Sequence, residues 1–177
     1  MSDYLQVIKQ TEHFIASQAL DTPQGLSWRR VPEGQPSHSL YHGSAGVIVF
    51  YLELYRHVND PVYLQKAVDA GHELVAYVQQ KVASESFVTI GLHSGWPGYV
   101  FVLNELFKAC GEAQFRDTAI AALNRISAQA SDIGAGIGWS RPRLQTSPAS
   151  KVSARSLICQ WVRRVPVSSI CTPIAKI

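Results

Sequence analysis

One pattern occurs twice in this chain at a fixed spacing, and it limits the fold more than any other feature. Residues Leu40 to Tyr55 read Leu-Tyr-His-Gly-Ser-Ala-Gly-Val-Ile-Val-Phe-Tyr-Leu-Glu-Leu-Tyr, and a second copy runs from Leu92 to Phe107. An offset of 52 residues places Gly43 on Gly95, Gly46 on Gly98, Leu40 on Leu92, Glu53 on Glu105 and Tyr55 on Phe107. Self-similarity at a fixed period marks a repeat architecture, whose units bury their apolar faces against one another rather than alone. A third unit is expected to begin near Gly134.

Each unit has the chemistry of a helix entered through a tight turn. Glycines at 43, 46, 95 and 98 allow positive φ and a close approach of neighbouring main chain that a Cβ would block. Each pair precedes a run that is apolar nearly all round, Val47 to Tyr55 and Tyr99 to Phe107. Such helices are buried on all sides, so both are read as inner helices whose N-termini share a face. Amphipathic partners follow. Asn59-Asp60-Pro61 starts a helix over 61–82, with Leu64, Ala67 or Val68, Gly71, Leu74 or Val75, and Val78 on one face. Gly111 fits the C-cap of the inner helix 98–110, ahead of an outer helix over 112–130 with Phe115, Ala119, Ala122 or Leu123, and Ile126 as its stripe. The expected class is all-α, an incomplete α/α toroid of about two helical hairpins plus an irregular C-terminal tail.

Ahead of the repeats, residues 2–20 read as a helix with Leu5, Ile8, Thr11 or Glu12, and Ile15 on one stripe. The stretch from Asp21 to Ser39, with Pro23, Gly25, Pro32, Gly34 and Pro36, reads as a long surface loop. Strand character is limited to the short apolar run Phe87 to Ile90. With 177 residues and 46% hydrophobic content the chain can form one substantial core. No apolar run is long enough for a membrane span, and no basic-then-apolar leader opens the sequence, so the expected location is the cytoplasm. Cys110, Cys159 and Cys171 are odd in number and lack metal-ligand spacing, as in a reducing compartment.

Charge divides the chain. All 13 acidic residues lie in residues 1–140 beside 9 Lys or Arg, whereas residues 141–177 hold 7 Lys or Arg and no acid. A basic segment attracts nucleic acid or anionic membrane. The Ser and Pro content of this one instead suits a tail that is disordered or out of frame, and no nucleic-acid partner is expected. Residues 1–140 are thus assigned to the repeat fold and 141–177 to the tail.

The paired motifs, Ser39-Leu40-Tyr41-His42-Gly43-Ser44-Ala45-Gly46 and Gly91-Leu92-His93-Ser94-Gly95-Trp96-Pro97-Gly98, each precede an apolar helix ending Glu-Leu-aromatic. In this the chain resembles the lanthionine synthetase C-like family over roughly residues 2–140. The resemblance implies the opening hairpins of an α/α toroid and a role in peptide modification. Enzymes of that family use zinc to activate a cysteine thiolate of a precursor peptide, which adds to a dehydrated Ser or Thr and closes a thioether ring. Their zinc ligands, two cysteines and a histidine, and their acid-base groups come from later repeats. The last histidine here is His93, and no Cys-His pair follows Cys159 or Cys171. No catalytic or metal-binding residue is therefore assigned, zinc is expected only in a full-length member, and the chain is expected to be an inactive, truncated relative.

The remaining candidates are weaker. His42, His93 and Trp96 lie beside the turns and are the expected cavity-facing residues, although single histidines and tryptophans are more often structural. Glu53 and Glu105 suggest a glycosidase-like acid pair, but their shared position late in each inner helix suits capping or inter-helix partners better. Trp139 is a further candidate for a cavity mouth, and Cys110 reads as a small core residue. Expected partners are a precursor peptide and, through the exposed repeat edge, a second copy of the chain. The alternative class is a non-catalytic helical-repeat module that binds a peptide or protein.

Overall fold

A computed structural model of the chain describes residues 2–84 and 88–139. Five helices lie among the described residues: α1 (Ser2–Ser17), α2 (Ser44–Val58), α3 (Pro61–Ser84), α4 (Trp96–Cys110) and α5 (Ala113–Ala128). The strands are short: β1 (Leu20–Thr22) pairs with β2 (Gly25–Ser27), and β3 (Ser131–Asp132) with β4 (Ile137–Gly138). The fold is all-α in class, two helical hairpins in succession. Two units are distinguished, one through Ile126 and one from Ser127. The tail assigned to 141–177 lies outside the described residues.

The 52-residue period holds in three dimensions. Helices α2 and α4 are both 15 residues long and begin 52 apart, at Ser44 and Trp96. Their C-caps, Asn59 and Gly111, are left-handed at φ 55 and 77, and each donates its N–H at 2.8 Å, to Tyr55 and Phe107 respectively. Asn59 therefore ends α2 rather than starting α3. The start of α3 is capped by Asp60, whose Oδ1 accepts from the Val62 N–H at 3.0 Å.

The four turn glycines serve close approach alone. None of them has a positive φ; Gly43 and Gly95 are extended, at φ −144 and −131. A Cβ on Gly43 or Gly95 would fall within 3.0 Å of the Ser37 or Thr89 carbonyl, and one on Gly46 or Gly98 within 3.0 Å of the Leu40 or Leu92 carbonyl. The expected left-handed turn is thus replaced by extended backbone whose own preceding segment passes too near for a side chain. Those carbonyls also receive hydrogen bonds in phase, Ser44 to Ser37 at 2.8 Å and Trp96 to Thr89 at 2.9 Å.

The core lies between the hairpins. Ile48, Leu52, Leu74, Val75, Leu103, Leu106 and Phe115 are buried. Gly71 of α3 sits so close to Leu106 of α4 and Phe115 of α5 that a Cβ would collide with both. The inner helices are not buried all round, because Phe101 is exposed. Helix α1 is shorter than the sequence suggests, and Leu5 and Ile8 of its stripe are exposed, while Glu12 and Ile15 are half-buried.

The segment expected to be a long surface loop is partly core. Within it, Gly25 at φ 145 allows the tight β1–β2 hairpin and meets the Asp69 carbonyl of α3 without room for a Cβ. Ser27 and Trp28 are buried, and the Trp28 indole donates to the Ile15 carbonyl at 2.8 Å. The expected third turn is also a β-hairpin in its described part. It copies the first at an offset of 111: Leu20↔Ser27 and Asp21↔Leu26 become Ser131↔Gly138 and Asp132↔Ile137, and Gly136 at φ 146 stands where Gly25 is. Residues 88–90 are not strand; Phe87 is outside the described residues.

Candidate functional site

The glycine turns bring the sequence candidates together on one surface. Tyr41 donates its backbone N–H to the His93 carbonyl at 2.9 Å, joining the first turn to the second. Its ring is exposed and meets His42 edge-on at 4.3 Å between centroids, with His93 edge-on at 6.4 Å. His42 and His93, both exposed, thus flank an aromatic side chain that sequence reasoning left aside. Trp96 is placed differently: it is buried at the start of α4. Trp139, following β4, is half-buried.

Beneath the first turn the packing is polar and tightly bonded. Ser27 and Ser44, both buried, share a 3.1 Å hydroxyl contact, and Ser44 also donates to the Ser37 carbonyl at 3.2 Å. His38 stacks on Tyr77 with centroids 3.8 Å apart, and its Nε2 lies 2.9 Å from Glu73 Oε1. The second carboxylate oxygen of Glu73 is buried without a hydrogen-bond partner. This pair ties the entry of the first turn to α3. A histidine five residues before a Gly-Ser turn gives no local sign of a glutamate 35 residues later, so the pair was not legible in sequence.

Glu53 and Glu105 are held by one cation. Arg56 bonds Glu53 on its own helix and reaches Glu105 on α4 at 2.7 Å, while Lys108 holds Glu105 from the other side at 2.8 Å. Burial alone would raise the Glu105 pKa, but the hydrogen bonds from Lys108 and Arg56 outweigh it and hold the carboxyl below the usual glutamate range. The Arg56 guanidinium is pushed up in turn, chiefly by its bond to Glu105. These carboxylates are committed to ion pairs late in the inner helices, away from the turns at the helix starts.

Elsewhere, the Tyr51 hydroxyl donates to Glu12 at 3.3 Å and Lys66 pairs with the same carboxylate at 2.5 Å. Burial, then the Glu12 charge, raises the Tyr51 pKa far above the ordinary phenol value. Cys110 is half-buried at the end of α4, and burial pushes its thiol pKa up, opposite to the change that makes a thiolate nucleophile or ligand.

Zinc requires four donors in structural sites and three plus an open position in catalytic ones. Among the described residues, no three His, Cys, Asp or Glu side chains lie together where a metal ion could be held. The turn-face histidines are joined by Tyr41, an aromatic ring rather than a ligand set, so the described residues do not fit a zinc centre. Also among the described residues, no helix is long and apolar enough to cross a membrane.

No curated protein and no solved structure gives a significant match. A family model does, that of the lanthionine synthetase C-like protein, over residues 35–132. The match covers more than half of the 177 residues and spans both glycine turns and all four hairpin helices. The chain therefore belongs to the lanthionine synthetase C-like family.

Proposed function

We propose that this chain takes part in peptide modification in the cytoplasm, as a LanC-like protein whose turn face receives a precursor peptide and whose described residues do not themselves close the thioether ring. The observation that carries the reading is the pair of in-phase glycine-turn hairpins inside the family match. Tyr41, exposed between His42 and His93, gives that face a flat aromatic contact with polar edges, suited to side chains of an extended peptide. Cyclisation needs an activated thiolate acceptor site and an acid-base group for the enolate carbon. The turn face offers two exposed histidines with no carboxylate or cysteine joined to them in a metal set, so no ring-closing step is assigned to this chain.

The test is to titrate the purified chain with a dehydrated, cysteine-containing precursor peptide, following binding by anisotropy and free thiol by alkylation and mass spectrometry. The reading predicts saturable binding, weakened by Tyr41→Ala, with no loss of peptide thiol and far less than one zinc per chain. Ring formation with one bound zinc would refute the inactive assignment, and absence of peptide binding would refute the peptide-handling role.

A further inference from the structure

Three consecutive residues ahead of the first turn each hold a different part of the fold. The Ser37 carbonyl accepts from the Ser44 N–H at 2.8 Å and from its hydroxyl at 3.2 Å, at the start of α2. Ser39 takes the His42 N–H on its hydroxyl and the Gly43 N–H on its carbonyl, both at 3.0 Å. Between them, His38 reaches α3, stacked on Tyr77 and 2.9 Å from Glu73 Oε1, and Tyr77 meets Tyr99 of α4 edge-on at 5.8 Å. The tie at Ser37 is built into the repeat, because Thr89 receives the Trp96 N–H in the same way. The tie at His38 is not. At the positions 52 residues after His38, Glu73 and Tyr77 stand Ile90, Arg125 and Gln129, so the hairpin forms there without a His-Glu pair. The exposed Tyr41 is likewise confined to the first unit, where its counterpart in the second is His93.

For stability alone this pair is a poor choice. The His38 and Glu73 side chains are 9% and 13% exposed, and Glu73 Oε2 has no hydrogen-bond partner among the described residues. A buried carboxylate with one oxygen unsatisfied costs more than an apolar pair of the same shape. What the bond supplies, and a ring stack does not, is direction: stacked rings slide over one another, whereas a hydrogen bond weakens steeply off its axis. We propose that His38 is a positioning residue for peptide binding, whose bond to Glu73 fixes Ser37 to Ser39 against α3 and so holds Tyr41, two residues beyond Ser39, at the turn face between His42 and His93. This inference rests on the peptide-handling reading of that face. It adds that affinity there is set from α3, by a buried carboxylate that does not itself meet the peptide.

The test compares the full 177-residue chain with three variants by titration with the dehydrated, cysteine-containing precursor peptide, by thermal midpoint and by exchange of the Tyr41 amide. The double substitution His38→Phe with Glu73→Leu keeps a ring on Tyr77 and leaves no buried charge, so its midpoint should match the parent's. Its peptide affinity should still fall about tenfold, and its Tyr41 amide should exchange about tenfold faster while amides in the α2 core keep their protection. Glu73→Leu alone should lose affinity as well, and Glu73→Gln, which keeps an acceptor oxygen for the His38 Nε2, should regain most of it. Parental affinity and Tyr41 exchange in the double variant would overturn the proposal, since the pair would then be packing only. So would a loss of affinity that follows the midpoint from variant to variant and is not restored by Glu73→Gln. A parent chain that binds no peptide sinks the peptide-handling reading beneath the proposal, whereas a parent that binds, beside a double variant that binds equally well, sinks the proposal alone.

Discussion

The backbone N–H of Tyr41 points at the carbonyl of His93, 2.9 Å away and 52 residues later, so the two residues occupy the same position of successive repeats. The two turns are therefore a single structure. Disturbing either should be felt in both.

Glycines of the turn should differ sharply in tolerance. Gly95→Ala brings a Cβ within 3.0 Å of the Thr89 and Gly91 carbonyls, backbone atoms that cannot swing aside. It should destabilise by about 3 kcal/mol or more. Gly91→Ala meets only the Ser94 hydroxyl at 3.6 Å, ordinary contact, and should change stability by less than about 0.5 kcal/mol. Urea unfolding of the two variants checks the contrast.

Trp28 should anchor α1 to the hairpins. Truncation to alanine removes a buried indole and its bond to Ile15, with a loss of about 3–5 kcal/mol. Limited proteolysis should then cut within α1 first. Unchanged protection of α1 in Trp28→Ala would contradict the anchoring.

Acid should weaken the inter-hairpin ion pairs. The folded pKa of Glu105 is below its unfolded value, near 4.5, so its stabilising contribution is present above that pH and is lost as pH falls through the folded pKa. Glu105→Gln should be less stable than the parent at pH 7 by about 1 kcal/mol, an amount discounted for the exposed side of the Arg56 and Lys108 partners. The difference should shrink below pH 4. Thermal midpoints at pH 7 and pH 3.5 give the comparison.

His38 and Glu73 should behave as a coupled pair. His38→Ala leaves a mostly buried carboxylate with neither oxygen bonded, since Oε2 already lacks a partner. The loss should be about 1–3 kcal/mol. Glu73→Leu in the same background should recover part of it, so a double-mutant cycle should give a clear interaction energy. Additive losses would mean that the 2.9 Å contact is not energetically joined.

Much of the fold was legible because the repeat is written in residue types with one structural use. Gly46 and Gly98 forecast a close backbone approach, Gly111 a left-handed cap, and Glu53 with Glu105 an inter-helix pairing, and each is found. The reason given for the turn glycines was half right, since sterics rather than φ demands them. The loop at 21–39 was misread because its prolines and glycines hid the run Asp21-x-x-x-Gly25-Leu26-Ser27-Trp28. The same order recurs as Asp132-x-x-x-Gly136-Ile137-Gly138-Trp139, a signal present in the sequence. His38 with Glu73, and Tyr41 between two histidines, depend on contacts across distant segments that no local pattern encodes.

The central claim is that two in-phase hairpins form one cooperative structure through their turns. Native-state amide hydrogen exchange tests it most directly. The account predicts that the amides of Tyr41, Ser44 and Trp96 exchange together with the cores of α2 and α4, and that Gly95→Ala lowers protection in both hairpins equally. If α2 and the Tyr41 amide kept their protection while α4 lost its own, the hairpins would be independent and the account would be wrong.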